Sequence, residues 1–298
     1  MSLALKMILG MMKKQPPFAI GPGTDYVKQR AIVDDPKAQI PAPKSVKVER
    51  LELGGVPCEL LTPKQITGDG LIYYIHGGGY CYGSAFSSRG YGGTLAEACG
   101  LPVVTVTYRL APEHKWPAGP EDCFAVYQAL LARYPGKKIA FVGESGGGTM
   151  ILVTALMAKA RGVQMPACIV PFSPCTNLAE DLPSRKLNEG AILVPYSNII
   201  ELLTGVYLDA DTDARDPFVS PFFGDYTGFP PMYFFADRGE VLFDDTDLLV
   251  PKIKAAGVDV QYEIMVGKFH SFPTIGRSCP ESKAYLDDTK AFLLRHLT

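Results

Sequence analysis

The pentapeptide Gly143-Glu144-Ser145-Gly146-Gly147 fits G-x-S-x-G. A serine held in that pattern attacks acyl carbon. Gly and Ser are common, so the flanks must carry the reading. KIAFV precedes the pattern as a short apolar run, and TMILVTALMAKARG follows it as a helical stretch. Strand, tight turn and helix is the setting that presents a serine hydroxyl at the end of a sheet. Glycines are needed there because the serine backbone is strained and side chains at its flanks would clash. The helix start also favours negative charge developing beside the hydroxyl. A second pattern, His76-Gly77-Gly78-Gly79-Tyr80, directly follows the apolar run LIYYI. Successive glycines leave backbone N–H groups able to converge on one point, as an oxyanion requires. Gly77, Gly78 and Gly79 are the candidate donors, Gly78 and Gly79 foremost, joined by Gly146. A phosphate loop fits poorly: the segment has no G-x-x-x-x-G-K-[ST], no G-x-G-x-x-G opening a helix and no nearby Lys.

A serine nucleophile needs a base, and the base needs an orienting acid. The chain has four histidines. His76 belongs to the glycine loop, and its ring is expected to brace it. His114, between the prolines of APEHKWP, is expected to be structural. His296, near the end of an amphipathic helix, is expected to be solvated. His270 lies in Gly267-Lys268-Phe269-His270-Ser271-Phe272, just after the run VQYEIMV. A strand-end loop is where catalytic residues of an open sheet collect. The acid is sought after the run PMYFFA, among Asp237, Glu240, Asp244 and Asp245. Glu240 is the first choice and Asp237 the second; spacing alone does not choose between them. Asp244 and Asp245 are expected to be solvated at the start of the next helix. Tyr80, Tyr82, Trp116 and Phe172 are either walls of an acyl pocket or core; Tyr80 and Tyr82 are the substrate-binding candidates.

These residues need a scaffold of strands alternating with helices. VKVERLEL (46–53) alternates apolar and polar, as a half-buried strand does. PCELLTP and LIYYIH (71–76) follow, then VVTVTY (103–108), KIAFVG (138–143), ACIVPF (167–172), PMYFFA (231–236) and VQYEIMV (260–266). Short β-branched or aromatic runs suit strands buried on both faces. Helical stretches lie near 87–98, 121–133, 147–161, 245–256 and 281–296. The pattern predicts one mixed sheet with a parallel centre and helices on both faces. Residues 1–45 and 175–226 break the rhythm; the second is too long for a plain crossover. Both are assigned to a cap that walls off a pocket, with a pair of surface insertions as the alternative.

With 298 residues, 47% of them hydrophobic and 20% charged, the chain can bury a large core without staples. The 29 basic and 31 acidic residues form no basic stripe, which argues against a nucleic-acid partner. Seven scattered cysteines, an odd number without a C-x-x-C pair, argue against a zinc site or a disulfide framework and for free thiols. In the opening MSLALKMILGMMKK, Lys6 interrupts the apolar run, Lys13 and Lys14 follow it, and Pro16-Pro17 stands where a cleavage site would be. That is the reverse of a signal peptide. No run reaches the length of a membrane span, so no stable membrane insertion is expected. The segment reads as an amphipathic helix packed on the body, with a cytoplasmic location. A helix lying on a membrane surface is the alternative.

Taken together, HGGGY (76–80), YRLAPEHKWPAGPED (108–122), GESGGG (143–148) and GKFHSF (267–272) resemble the hormone-sensitive-lipase family of α/β-hydrolases, a group of carboxylesterases. The order Ser145, acid, His270 is that of α/β-hydrolases. In such relatives the acid opens a D-P-L-x-D-E segment about thirty residues before the histidine. Glu240-Val241-Leu242-Phe243-Asp244-Asp245 stands in that register, so the resemblance favours Glu240. Three departures stand out: GESGGG for the commoner GDSAGG, Glu followed by Val for Asp followed by Pro, and Ser271 for Gly. None removes a functional group. The resemblance implies an α/β-hydrolase fold with a helical cap built from residues 1–45 and 175–226. It also implies short- to medium-chain acyl ester substrates and no cofactor or metal. Pairing of two copies through an edge strand follows from it as well.

The expected activity is therefore ester hydrolysis through an acyl-enzyme, with Ser145, His270 and Glu240 as the triad. A deacetylase, amidase or peptidase would share the same oxyanion chemistry. A ligand-binding protein that reuses the fold without catalysis is a further alternative.

Overall fold

The computed structural model describes residues 1–14, 19–35 and 39–298. Pro16-Pro17, and the parts of the expected cap at 15–18 and 36–38, lie outside the described residues. Two helices come first, α1 (Leu3–Met12) and α2 (Tyr26–Val33). β1 (Val46–Leu53) and β2 (Val56–Pro63) then pair as an antiparallel hairpin. β3 (Leu71–Ile75), α3 (Arg89–Cys99), β4 (Val103–Val106), α4 (Ala118–Arg133), β5 (Ile139–Glu144), α5 (Gly146–Ala160) and β6 (Cys168–Phe172) follow in alternation. The excursion after β6 carries α6 (Pro183–Leu187) and α7 (Ile199–Leu203). The chain closes with β7 (Met232–Asp237), α8 (Phe243–Asp247), α9 (Leu249–Ala255), β8 (Val260–Met265) and α10 (Pro280–Leu297).

The eight strands form one sheet in the order β1-β2-β4-β3-β5-β6-β7-β8. β2 meets β4 antiparallel, and every pairing from β4 through β8 is parallel. Period-two alternation distributes the core to both faces. Along β3, Leu71, Tyr73 and Ile75 pack with α4 and α5, while Ile72 and Tyr74 pack with α3 and α10. α5 runs buried from Gly146 to Ala158, so the helix behind the serine is a central pillar rather than a surface element.

α1 packs on the body as expected. Leu5 is fully buried, and Ser2 Oγ caps the helix by accepting from Leu5 N–H. The same hydroxyl donates to Glu281 of α10 at 2.7 Å. The single helix expected over 245–256 is two short ones, α8 and α9, meeting at Leu248. Pro251 explains the break: its ring would clash with the Asp247 carbonyl, and it has no N–H to give. All seven cysteines are buried free thiols. Among the described residues no helix is long and apolar enough to cross a membrane.

Candidate active site

Ser145 occupies the single residue between β5 and α5, with φ 54° and ψ −126°. A non-glycine residue in that region stores roughly 1–3 kcal/mol of strain, which its surroundings must hold in place. They do so by close approach. A Cβ on Gly147 would lie 2.1 Å from the Ile75 carbonyl oxygen, and one on Gly143 would lie 2.5 Å from that of Gly147. Ser145 N–H donates to the Phe172 carbonyl at 2.8 Å, tying the turn to the end of β6.

His270 sits in the loop after β8, nine-tenths buried. Its Nδ1 lies 2.7 Å from Glu240 Oε2. A carboxylate can only accept, so Nδ1 carries the proton and Nε2 is left with its lone pair. Nε2 is buried and has no hydrogen-bond partner among the described residues. Glu240 is held in turn by Asp237 N–H, which donates to Oε1 at 3.0 Å. Asp237, the second choice for the acid, does not reach the imidazole. Its carboxylate accepts from Gly239 N–H at 2.9 Å and Lys268 N–H at 2.8 Å, bracing the loop that carries His270. Ser271 N–H donates to Ser173 Oγ at 3.2 Å, a second brace from the end of β6.

Three expectations of a solvated side chain fail here. Asp245 is not solvated: it is fully buried and pairs with Arg185 of α6 at 3.2 Å. It also accepts the Thr176 and Asn177 N–H groups, so packing against the excursion overrides the helix-start preference for water. Asp244 accepts from Ser184 N–H at 2.7 Å and is likewise engaged by α6. His296 is half-buried with Nε2 enclosed and its ring 4.7 Å from Phe292, so it is not a solvated histidine either. His114 is exposed. His76 braces the glycine loop as expected: its ring stacks on Tyr108 at 4.4 Å and its Nδ1 contacts the Gly77 carbonyl. Burial pushes its pKa down to about 4, so it is neutral near pH 7.

The glycine loop corrects the expected donor set. Gly77 N–H donates to Glu144 Oε1 at 2.8 Å and is therefore spent. The N–H groups of Gly78, Gly79 and Gly146 meet no acceptor among the described residues. Gly78, at φ 107°, needs to be glycine: a Cβ would lie 2.4 Å from the Tyr82 carbonyl oxygen. The other Glu144 oxygen accepts from Tyr74 O–H. Burial raises the Glu144 pKa to about 7, against the pull of these two donors. The one sequence signal for this side chain was its departure from the Asp usual in relatives.

A cavity of about 360 Å³ opens over these groups. Ser145, His270, Gly78, Gly79 and Gly146 all line it, as do Tyr80 and Tyr82. Phe172 and Trp116 do not: Phe172 is core, packed on Phe235, and the Trp116 indole N–H donates to the Phe218 carbonyl. Tyr80 stacks on Tyr207 with ring centres 3.9 Å apart. The outer wall comes from Met12, Ile20 and Val33 on one side and Leu193, Tyr196 and Ile199 on the other. These fall in the two segments that broke the strand–helix rhythm. Among the described residues no cluster of His, Cys, Asp or Glu could hold a metal ion.

A family model for the alpha/beta hydrolase fold matches residues 72–274. The putative acetyl-hydrolase LipR of Mycobacterium tuberculosis is 29% identical over 86% of this chain and 83% of its own. An esterase of Acinetobacter venetianus is 32% identical over 88% of this chain and 87% of its own. The crystal structure of an esterase from the bacterial hormone-sensitive lipase family superposes with a TM-score of 0.88 at 29% identity, covering 100% of this chain and 99% of that one. By sequence, sheet order and site, the chain belongs to the α/β-hydrolase family, in its hormone-sensitive-lipase-like group of carboxylic ester hydrolases.

Proposed function

We propose that the protein hydrolyses short- to medium-chain carboxylic esters through an acyl-serine intermediate. Ser145 Oγ attacks the ester carbonyl carbon while His270 Nε2 takes its proton. The carbonyl oxygen becomes an oxyanion and is received by the N–H groups of Gly78, Gly79 and Gly146. Collapse breaks the bond to the alcohol oxygen. That oxygen takes the proton from Nε2 and leaves. Water then repeats the attack, the acid departs and Ser145 is restored. Glu240 holds the imidazole in the required tautomer and stabilises its cation. No step calls for a cofactor.

The observation that carries this reading is the His270–Glu240 contact at 2.7 Å, with Nε2 unpartnered on the same cavity as Ser145. A ligand-binding protein would have no use for an oriented imidazole with a free lone pair. Acetyl esters fall within the proposed class, in keeping with the acetyl-hydrolase name of one relative. Residues 1–45 and 175–226 act as the cap that closes the cavity. Two copies would pair along β8, whose outer edge no other strand covers among the described residues; sedimentation at micromolar concentration should then give twice the chain mass. Ser145→Ala is expected to fold normally, resist fluorophosphonate labelling and lose ester hydrolysis. Retained turnover would refute the assignment. A matched aryl ester and anilide assayed in parallel separate esterase from amidase.

A further inference from the structure

β3 and β5 run parallel, and their last backbone pair is Ile75 with Gly143. Beyond it the two chains turn apart, one into the glycine loop and the other into Ser145. They remain in contact: a Cβ on Gly77 would lie 2.6 Å from the Glu144 carbonyl oxygen and 2.9 Å from Ser145 Cβ. Backbone pairing has stopped here, yet one hydrogen bond still joins the two sides, from Gly77 N–H to Glu144 Oε1 at 2.8 Å. The side chain does what the sheet ladder no longer can. Its second oxygen is fixed by the Tyr74 hydroxyl, so the carboxylate is held at both ends.

From this geometry we infer that Glu144 is a positioning residue, a latch that fixes the glycine loop at Gly77 and so aims the next two N–H groups, of Gly78 and Gly79, at the oxyanion. The inference rests on the acyl-serine reading of the site. The latch explains why Gly77 is a poor oxyanion donor and yet cannot move: its N–H serves the loop rather than the substrate. Both contacts donate to the carboxylate, so the ionised form fits them. The groups facing it are Tyr74 from β3, Tyr91 from α3, Tyr108 after β4 and His270 from the loop after β8.

The test compares Glu144→Ala and Glu144→Gln with the wild-type chain on a short-chain aryl ester. A trifluoromethyl ketone that forms a tetrahedral oxyanion on serine serves as the geometric probe. Glu144→Ala should lower kcat by about 10²-fold, the scale of a lost oxyanion donor, with KM within about twofold. It should weaken the ketone in proportion and speed amide exchange across residues 76–80. Glu144→Gln keeps the length and one acceptor and should recover most of kcat. Unchanged kcat and ketone affinity in Glu144→Ala, or a loss confined to KM, overturns the latch. If Glu144→Ala does not fold, Tyr74→Phe decides. Freeing one end of the carboxylate should weaken the ketone and speed amide exchange across residues 76–80 with KM little changed, and unchanged ketone affinity and exchange overturn the proposal. Failure of the wild-type protein to take fluorophosphonate would sink the acyl-serine reading alone, since amide exchange still reports the latch.

Discussion

Glu240 reaches the imidazole because the chain turns back after β7, putting a longer acid three residues past the strand end under His270. Asp237 at the strand end has no such freedom; its two oxygens are taken by the Gly239 and Lys268 N–H groups. The two carboxylates should therefore respond differently. Glu240→Gln leaves the shape intact but removes the charge that, in the proposed mechanism, steadies the imidazolium, so kcat should fall by about 10⁴ with little change in melting temperature. Asp237→Ala orphans two loop N–H groups and should instead cost about 1–3 kcal/mol of stability, read by urea unfolding. A second pair of buried groups, His76 and Glu144, opposes one another in pH. His76 is held below its free value, near 4, so the unfolded chain binds the extra proton and stability rises with pH between about 4 and 6.5. Glu144 is held above its free value, near 7, so the folded chain binds the extra proton and stability falls with pH between about 4.5 and 7. Glu144→Gln removes only the second slope. Its melting temperature relative to wild type should climb as pH rises through that window, and a flat difference would mean the carboxyl is not buried in solution. Serine, histidine and the glycines were legible because short-range spacing specifies them. The choice of acid needed a contact across thirty residues, and the loss of Gly77 as a donor needed a side chain reaching between two strands.

The excursion between β6 and β7 does more at the level of elements than wall a cavity. α6 is bolted to α8 and to the turn bearing Glu240. Ser184 Oγ donates to the Val241 carbonyl at 2.9 Å, and Asn188 Nδ2 donates to the Glu240 carbonyl at 2.9 Å. The Arg185–Asp245 pair lies beneath, both residues essentially without solvent. A segment that lines the cavity is thereby fixed to the segment that carries Glu240. Arg185→Met would leave a buried carboxylate with two N–H partners and no cation, at a cost of about 3–5 kcal/mol. The measurement is a urea midpoint, and a loss under about 1 kcal/mol would show that the pair is solvated. This fastening was not legible in the sequence. Helix-start chemistry placed Asp245 in water, and only the partner sixty residues earlier, on a five-residue helix with weak periodicity, reverses that. The strands were legible for the opposite reason: their burial on both faces writes an unbroken apolar run that no distant partner alters.

At the scale of the molecule the parallel strands β5, β7 and β8 all deliver their site residues at one edge of the sheet, just past their C-terminal ends, where open α/β sheets bind ligands. The alternation of runs announced that sheet; the interchange of β3 and β4 in its order could not be read, because apolar strands buried on both faces carry no label for their neighbours. On the proposed function, substrate size is limited by the enclosure rather than by the chemistry. At about 360 Å³ the cavity stands near the small end of ligand sites, which span about 300–1,000 Å³. Its outer wall is borrowed from Met12 of α1 and Tyr196 of the excursion, and α1 is tied down by Leu5 and by Ser2 on Glu281. On the proposed reading a short acyl chain is accommodated there, and a long one must displace the wall. Across a series of aryl esters kcat/KM should peak among the short chains and fall steeply beyond them. Removing residues 1–14 should flatten that fall, raising relative activity on long chains while Ser145 still takes fluorophosphonate. A series that climbs steadily with chain length in the intact protein would mean the wall does not close over the substrate.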